Sequence, residues 1–268
     1  MSSTLKDRVA IVTGGGGGIG RATAIALARA GAAVVVTGRT SATLEETLRA
    51  ARQAAPEAPG AFALVLDVRR EEDMGLMAAR TLERFRRIDI LVTCAGVLRA
   101  AQKGPRPTVD MAVEEWAGVI ATNLRGTFLA DRAVLPAMMG QRSGDIVNLS
   151  STSGLRGYAY DAPYCASKFG ILGLSEALAE EARAHGIRVQ AVLPGPVATG
   201  IWEQNLPVPP SEKTLPVERV VDLIMYLLAL PRDVVLANPA IVPLRAQRRP
   251  SWRAPGPGAA VGREGTEP

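Results

Sequence analysis

Val9-Ala10-Ile11-Val12-Thr13-Gly14-Gly15-Gly16-Gly17-Gly18-Ile19-Gly20 sets an apolar run directly against a glycine turn, and an alanine-rich helical pattern follows to about Ala30. In a strand-turn-helix unit a first glycine makes the turn, a second lets backbone approach a pyrophosphate, and a third lets helix pack on strand. Gly14, Gly18 and Gly20 stand where those roles fall. A helix beginning near Gly18 offers unpaired N–H groups and a favourable dipole to a diphosphate. A flexible glycine linker is the plain alternative, but linkers seldom sit between an apolar strand and an alanine-rich helix.

Outward from this unit the same rhythm continues. Ala33-Val34-Val35-Val36-Thr37 reads as a second strand, with a helix from Ser41. Residues 62–68 read as a third strand, 71–86 as its helix, 88–93 as a fourth strand and 145–149 as a fifth. Residues 163–185 read as a helix ended by Gly186 at the C′ position, and 187–193 as a sixth strand. A proline-rich loop with Pro207, Pro209, Pro210 and Pro216 precedes a helix over 217–230, and Ala240-Ile241-Val242 reads as a short last strand. Nearly continuous apolar strands separated by helices imply a parallel sheet covered on both faces, a doubly wound α/β fold.

Hydrophobic residues make up 47% of the 268 residues and aromatic ones only 4%, so the core is expected to be built from Ala, Val, Leu and Ile. The net charge of +5 resembles that of a nucleic-acid binder, but its distribution does not. Residues 245–268 carry five arginines against two glutamates, leaving +2 for the rest, with no basic stripe interleaved with aromatics. The expected organisation is one domain over residues 1–245 and a basic, Pro- and Gly-rich disordered tail over 246–268. Cys94 and Cys165 form neither a disulfide framework nor a zinc site, and no metal is expected. No signal-peptide core and no apolar run long enough to span a membrane is present, so a soluble cytoplasmic protein is expected, with neither nucleic acid nor membrane as partner.

Tyr164 and Lys168 stand one helical turn apart, thirteen residues after Ser151. A phenol of pKa near 10 is a poor acid or base near neutral pH, and an ammonium at i+4 is expected to lower it. Tyr164 then exchanges the proton of an alcohol or carbonyl, and Ser151 at the end of the fifth strand polarises the oxygen where charge develops. Taken alone, a Tyr-x-x-x-Lys pair is an ordinary surface pair, and the companions decide otherwise. Ser150 is a rival for Ser151, which the spacing favours. Cys165 reads as a packing residue and His185 as a helix-end residue.

The spacing Thr-Gly-x-x-x-Gly-x-Gly from Thr13 to Gly20 resembles the short-chain dehydrogenase/reductase family. Over about residues 5–200 the likeness extends to Asp67-Val68, Ala95-Gly96, Asn123, Ser151, Tyr164, Lys168, Pro194-Gly195 and Thr199. The resemblance implies a single Rossmann-type sheet and a catalytic set of Asn123, Ser151, Tyr164 and Lys168. By the same likeness Asp67 and Val68 contact adenine, Asn123 holds a water in a proton relay, and Lys168 also binds the nicotinamide ribose. Pro194, Gly195 and Thr199 contact the nicotinamide end, and Ile19 and Val197 count among the cofactor-binding residues.

A carboxylate after the second strand would bind the ribose 2′-hydroxyl of NAD, whereas this chain has Gly38-Arg39, so Arg39 points to the 2′-phosphate of NADP(H) unless it is a solvated loop residue. The expected activity interconverts a ketone and a secondary alcohol, with 3-oxoacyl or 3-oxo acid compounds as candidates and a homodimer or homotetramer as the assembly. The rival is a cofactor-binding sensor without turnover. The family often has two asparagines before Ala-Gly where this chain has Thr93-Cys94, which sets one sheet-bracing hydrogen bond in question. The ending around Asn238 to Pro243 resembles serine and 3-hydroxy acid dehydrogenases, and the short loop over 200–215 suggests a small or partly exposed substrate.

Overall fold

A computed structural model of the chain describes residues 5–99, 104–205 and 213–244. The Val9–Thr13 run forms β1, and the glycine turn leads into α1 (Gly18–Arg29). Then come β2 (Ala33–Gly38), α2 (Ser41–Ala54), β3 (Ala61–Val65), α3 (Glu71–Phe85) and β4 (Ile90–Thr93). A bent helical stretch follows, made of α4 (Val113–Ile120), a wide π turn (Ala121–Arg125) and α5 (Gly126–Gln141). The chain closes with β5 (Gly144–Leu149), α6 (Ala162–Arg183), β6 (Ile187–Pro194), α7 (Val217–Ala229) and β7 (Ala240–Ile241).

The seven strands lie in the order β3-β2-β1-β4-β5-β6-β7, and every pairing is parallel. Because strand side chains alternate, each central strand feeds two cores. Ala10, Val12, Val34, Val36, Ile90 and Val92 pack towards α1, α2 and α7 through Leu27, Leu44 and Ile224. Ile11, Val35, Leu91 and Ile146 pack the other way, against Met74 and Met77 of α3, Val134 and Met138 of α5 and Leu178 of α6. Full burial of each such side chain contributes about 1.5 to 3 kcal/mol. At the amino edge, Asp145 is clamped by Arg8, Arg188 and Arg232 at 2.6, 2.9 and 2.8 Å, which leaves the carboxyl edge for chemistry.

Several boundaries differ from expectation for local reasons. β3 stops at Val65 because Leu66 and Val68 turn into the core beneath α5, and β4 starts at Ile90 because Asp89 caps the strand start by accepting from Val9 N–H at 2.9 Å. α6 ends at Arg183, with Gly186 one residue beyond the expected C′ position, because i to i−3 bonds from His185 and Gly186 tighten the exit. The expected tail over 246–268 and Pro207, Pro209 and Pro210 lie outside the described residues.

The bond set in question at Thr93-Cys94 is present in another form. The Thr93 hydroxyl donates to Asn148 Oδ1 at 2.8 Å, joining β4 to β5, and Asn148 Nδ2 donates to Asp131 and Ser175. Thr93→Val keeps the shape but leaves that oxygen without its donor, so a loss of about 1 to 3 kcal/mol is expected in urea unfolding. An unchanged midpoint would show that the hydroxyl contributes nothing.

Candidate active site

Strand order reverses around β1 and β4, and the carboxyl ends of β1, β4, β5 and β6 open there onto a cavity of about 920 Å³. Such a crevice is where open α/β sheets bind ligands. Ile19, Gly96, Ser151, Tyr164 and Lys168 line it, joined by Pro194, Gly195, Val197 and Thr199 from the end of β6.

The turn after β1 is held from behind. Arg21 Nη2 donates to Gly16 O at 2.7 Å and to Thr43 O at 3.2 Å, while Thr47 Oγ1 donates to Gly15 O at 2.8 Å. Gly14 has φ +64°, and a Cβ there would fall 2.6 Å from Ala95 N. A Cβ on Gly20 would fall 2.3 Å from Gly14 O, so the helix meets the strand as closely as backbone permits. Nothing lies within 4 Å of the Gly17 Cβ position, and no side chain caps the α1 N-terminus. A Cβ on Gly18 would fall 3.2 Å from Thr199 Cγ2, so Thr199 stands close beside the turn. An open cradle over free helix N–H groups fits a diphosphate.

The remaining expected cofactor residues, Thr13, Arg39, Asp67 and Val68, are not among those that line the cavity. Thr13 Oγ1 accepts from Ala95 N–H at 3.3 Å and sets the floor of the turn. Arg39 is exposed directly after β2. Asp67 is gripped by Arg69, whose Nε donates to both carboxylate oxygens at 3.0 and 2.9 Å. These bonds hold the Asp67 carboxyl below its usual range, with Arg39 contributing. Val68 is buried and packs close to Gly126, so its side chain serves the core.

Asn123 lies in the π turn, a distortion often found at functional sites. Its amide accepts from Val97 N–H at 2.8 Å and donates to Val97 O and Ser167 Oγ at 2.9 and 3.0 Å. The side chain therefore braces the β4 loop against α6, and all its groups shown are engaged in that bracing.

Ser151 Oγ donates to Pro194 O at a long 3.3 Å and accepts from Ser153 N–H at 3.1 Å. Ser150, the rival serine, donates to Lys168 O at 2.8 Å and so fixes α6 instead. Lys168 Nζ donates to Leu149 O at 2.7 Å and stands 5.5 Å from the centre of the Tyr164 ring. Burial holds Lys168 down to about 8. Burial likewise pushes the Tyr164 phenol up to about 12, opposed by a hydrogen bond with Ser151. In the protein alone the phenol therefore stands above its usual value through desolvation, while the ammonium at i+4 donates its hydrogen bond to a backbone carbonyl.

The sequence marks residues 154–163 and 196–215 as the segments that decide the substrate without placing their side chains, and both reach the cavity. Leu98, Leu155, Arg156, Tyr158, Ile201 and Trp202 form much of its wall, with Val242 and Leu244 from beyond β7. Cys94 also reaches it, and burial pushes its thiol up to about 12, which disfavours the thiolate. Gln204 Oε1 accepts from the N–H groups of Leu98 and Arg99, Trp202 Nε1 donates to Val197 O at 2.7 Å, and Arg99 pairs with Asp161 at the start of α6. Their only sequence signal is position after a strand's carboxyl end. Cys165 is buried, accepting from Tyr158 N–H at 3.3 Å.

The family model described as short chain dehydrogenase matches residues 8–207. The chain is 36% identical over 217 residues to the 3-oxoacyl-(acyl-carrier-protein) reductase of Synechocystis sp., spanning 81% of this chain and 85% of that protein. It is 35% identical over 230 residues to the 2-(R)-hydroxypropyl-CoM dehydrogenase of Xanthobacter autotrophicus, spanning 82% and 90%. The crystal structure of levodione reductase matches with a TM-score of 0.80 at 33% identity, covering 89% of this chain and 96% of that one.

Proposed function

Because the chain belongs to the short chain dehydrogenase family, we propose that it is an NADP(H)-dependent oxidoreductase that reduces a ketone to a secondary alcohol, with 3-oxoacyl or 3-oxo acid compounds as the first candidates. The observation that carries this reading is the convergence of Ser151, Tyr164 and Lys168 on one cavity that Ile19 of the glycine turn and Thr199 also line. The nicotinamide, when bound, supplies or accepts the hydride. Gly14 to Gly20 would hold the diphosphate at the open α1 N-terminus, and Gly195, Val197 and Thr199 would flank the nicotinamide end.

The chain's own groups handle the substrate oxygen. The Ser151 hydroxyl exchanges its long bond to Pro194 O for one to that oxygen, where negative charge grows. The Tyr164 phenol donates its proton to the same oxygen in reduction and takes it back in oxidation. Lys168 carries the charge that favours phenolate, while Ser150 and Leu149 O fix its backbone and its ammonium. An assembly of two or four copies belongs to this reading, and Phe128 and Phe169 are exposed on α5 and α6.

The test is NADPH oxidation against 3-oxo esters, 3-oxoacyl thioesters, diketones and simple ketones. NADPH binding without turnover on any of them would favour the sensor. Arg39 supports the choice of NADP(H), since an exposed guanidinium at the end of β2 can meet a phosphate with charge-assisted hydrogen bonds. Arg39→Asp is expected to move the NADPH/NADH ratio of kcat/KM about ten- to a hundredfold towards NADH. A ratio that stays put would remove Arg39 from the site.

A further inference from the structure

We propose that Arg156 is an anion anchor in the substrate cavity, so that the preferred carbonyl compound carries a carboxylate or phosphate beyond an apolar body. The inference rests on the reductase reading and specifies the substrate class of that site.

Among the described residues, three of the cavity's lining side chains carry formal charge, and two are already engaged. Asp161 is neutralised by the buried Arg99, and Lys168 donates a hydrogen bond to Leu149 O. Arg156 is the third. It forms no ion pair among the described residues, although arginine is the side chain best suited to a planar oxyanion. Its Nε donates to the Tyr158 hydroxyl at 2.8 Å, and its guanidinium lies 4.8 Å over the Tyr158 ring. This holds the side chain in one direction and leaves both terminal amino groups without a partner among the described residues. Prior ordering reduces the entropy lost when two parallel N–H groups close on an anion.

The rest of the wall argues for the apolar body. Leu98, Leu155, Trp202 and Leu244 line the same cavity as Ser151 and Tyr164. A ligand filling this cavity thus has hydrogen-bond donors for its carbonyl, hydrocarbon for its body and a guanidinium for an anionic group. With Asp161 paired, no free carboxylate among the described lining residues opposes the anion.

The experiment reads binding rather than turnover, by calorimetry on Tyr164→Phe protein saturated with NADPH. Two matched pairs separate the sources of the anion: 3-oxooctanoate against its methyl ester, and 3-oxooctanoyl pantetheine 4′-phosphate against the unphosphorylated pantetheine thioester. The anionic member of at least one pair is expected to bind about tenfold or more tightly than its neutral partner. Adding Arg156→Gln should bring that pair within about twofold by weakening the anion alone, and Arg156→Lys should retain part of the preference. Equal affinities in both pairs, a preference that survives Arg156→Gln, or no binding of either anion overturns the proposal. Tyr164-dependent NADPH oxidation of the neutral ester by the unaltered enzyme judges the reductase reading separately. Arg156 is exposed, so its variants should unfold at the original midpoint.

Discussion

Tyr164→Phe is expected to lower turnover by about 10²- to 10⁴-fold while leaving the thermal midpoint and NADPH binding close to those of the unaltered protein. Phenylalanine keeps the ring that faces Lys168 Nζ at 5.5 Å and removes only the hydroxyl proposed to exchange the proton. The same hydroxyl sets the pH behaviour. With the phenol pushed up to about 12 by burial, the protonated form needed for reduction persists across neutral and mildly alkaline pH, so reduction should be flat there. Oxidation needs the phenolate and should rise with pH. Lys168→Met removes the adjacent cation and should displace the rise in oxidation to still higher pH, because less then counters the desolvation that raises the phenol. A Tyr164→Phe enzyme retaining more than about a tenth of its rate would assign the proton to another group.

Much of this arrangement can be read from residue order because the strands are buried on both faces. Val9–Thr13 and Ala33–Gly38 read as continuous apolar runs, and a parallel sheet between two helix layers requires just that. Residues 94–144 are harder to read. α5 contains Pro136, begins with Gly126 and buries both Asp131 and Met138, so no clean apolar stripe marks it. The π turn at Asn123 shifts the helical phase again and conceals that α4 and α5 form one bent stretch. In the site, Ser151, Tyr164 and Lys168 are legible because their chemistry imposes a spacing along one strand and one helix. Arg156, Trp202 and Leu244 come from three separate connections, and only folding brings them to one wall. The Tyr164 and Lys168 proton affinities escape sequence reading for a related reason, since desolvation depends on what packs around a group rather than on its neighbour four residues along.

Asp131 should make the protein less stable as pH rises from about 4 to about 8. It is fully buried on α5, and burial pushes its carboxyl from 3.8 up to about 8 against a hydrogen bond from Asn148 Nδ2 at 3.0 Å. Its Oδ1 has no partner among the described residues, as suits a neutral acid and not a carboxylate. In that pH window the folded protein keeps a proton that the unfolded chain releases. The stability this proton supplies is therefore complete below about pH 4 and is lost as pH climbs towards about 8. At about 1.4 kcal/mol per pH unit, the loss by pH 7 is on the order of 4 kcal/mol. Asp131→Asn keeps an acceptor for Asn148 and has no proton to lose, so its stability relative to the unaltered protein should grow steadily with pH. Urea unfolding at pH 5, 6.5 and 8 reads the difference directly. A constant difference across the three would mean that Asp131 does not change ionisation on folding, and that the buried bridge through Asn148 holds a charged carboxylate.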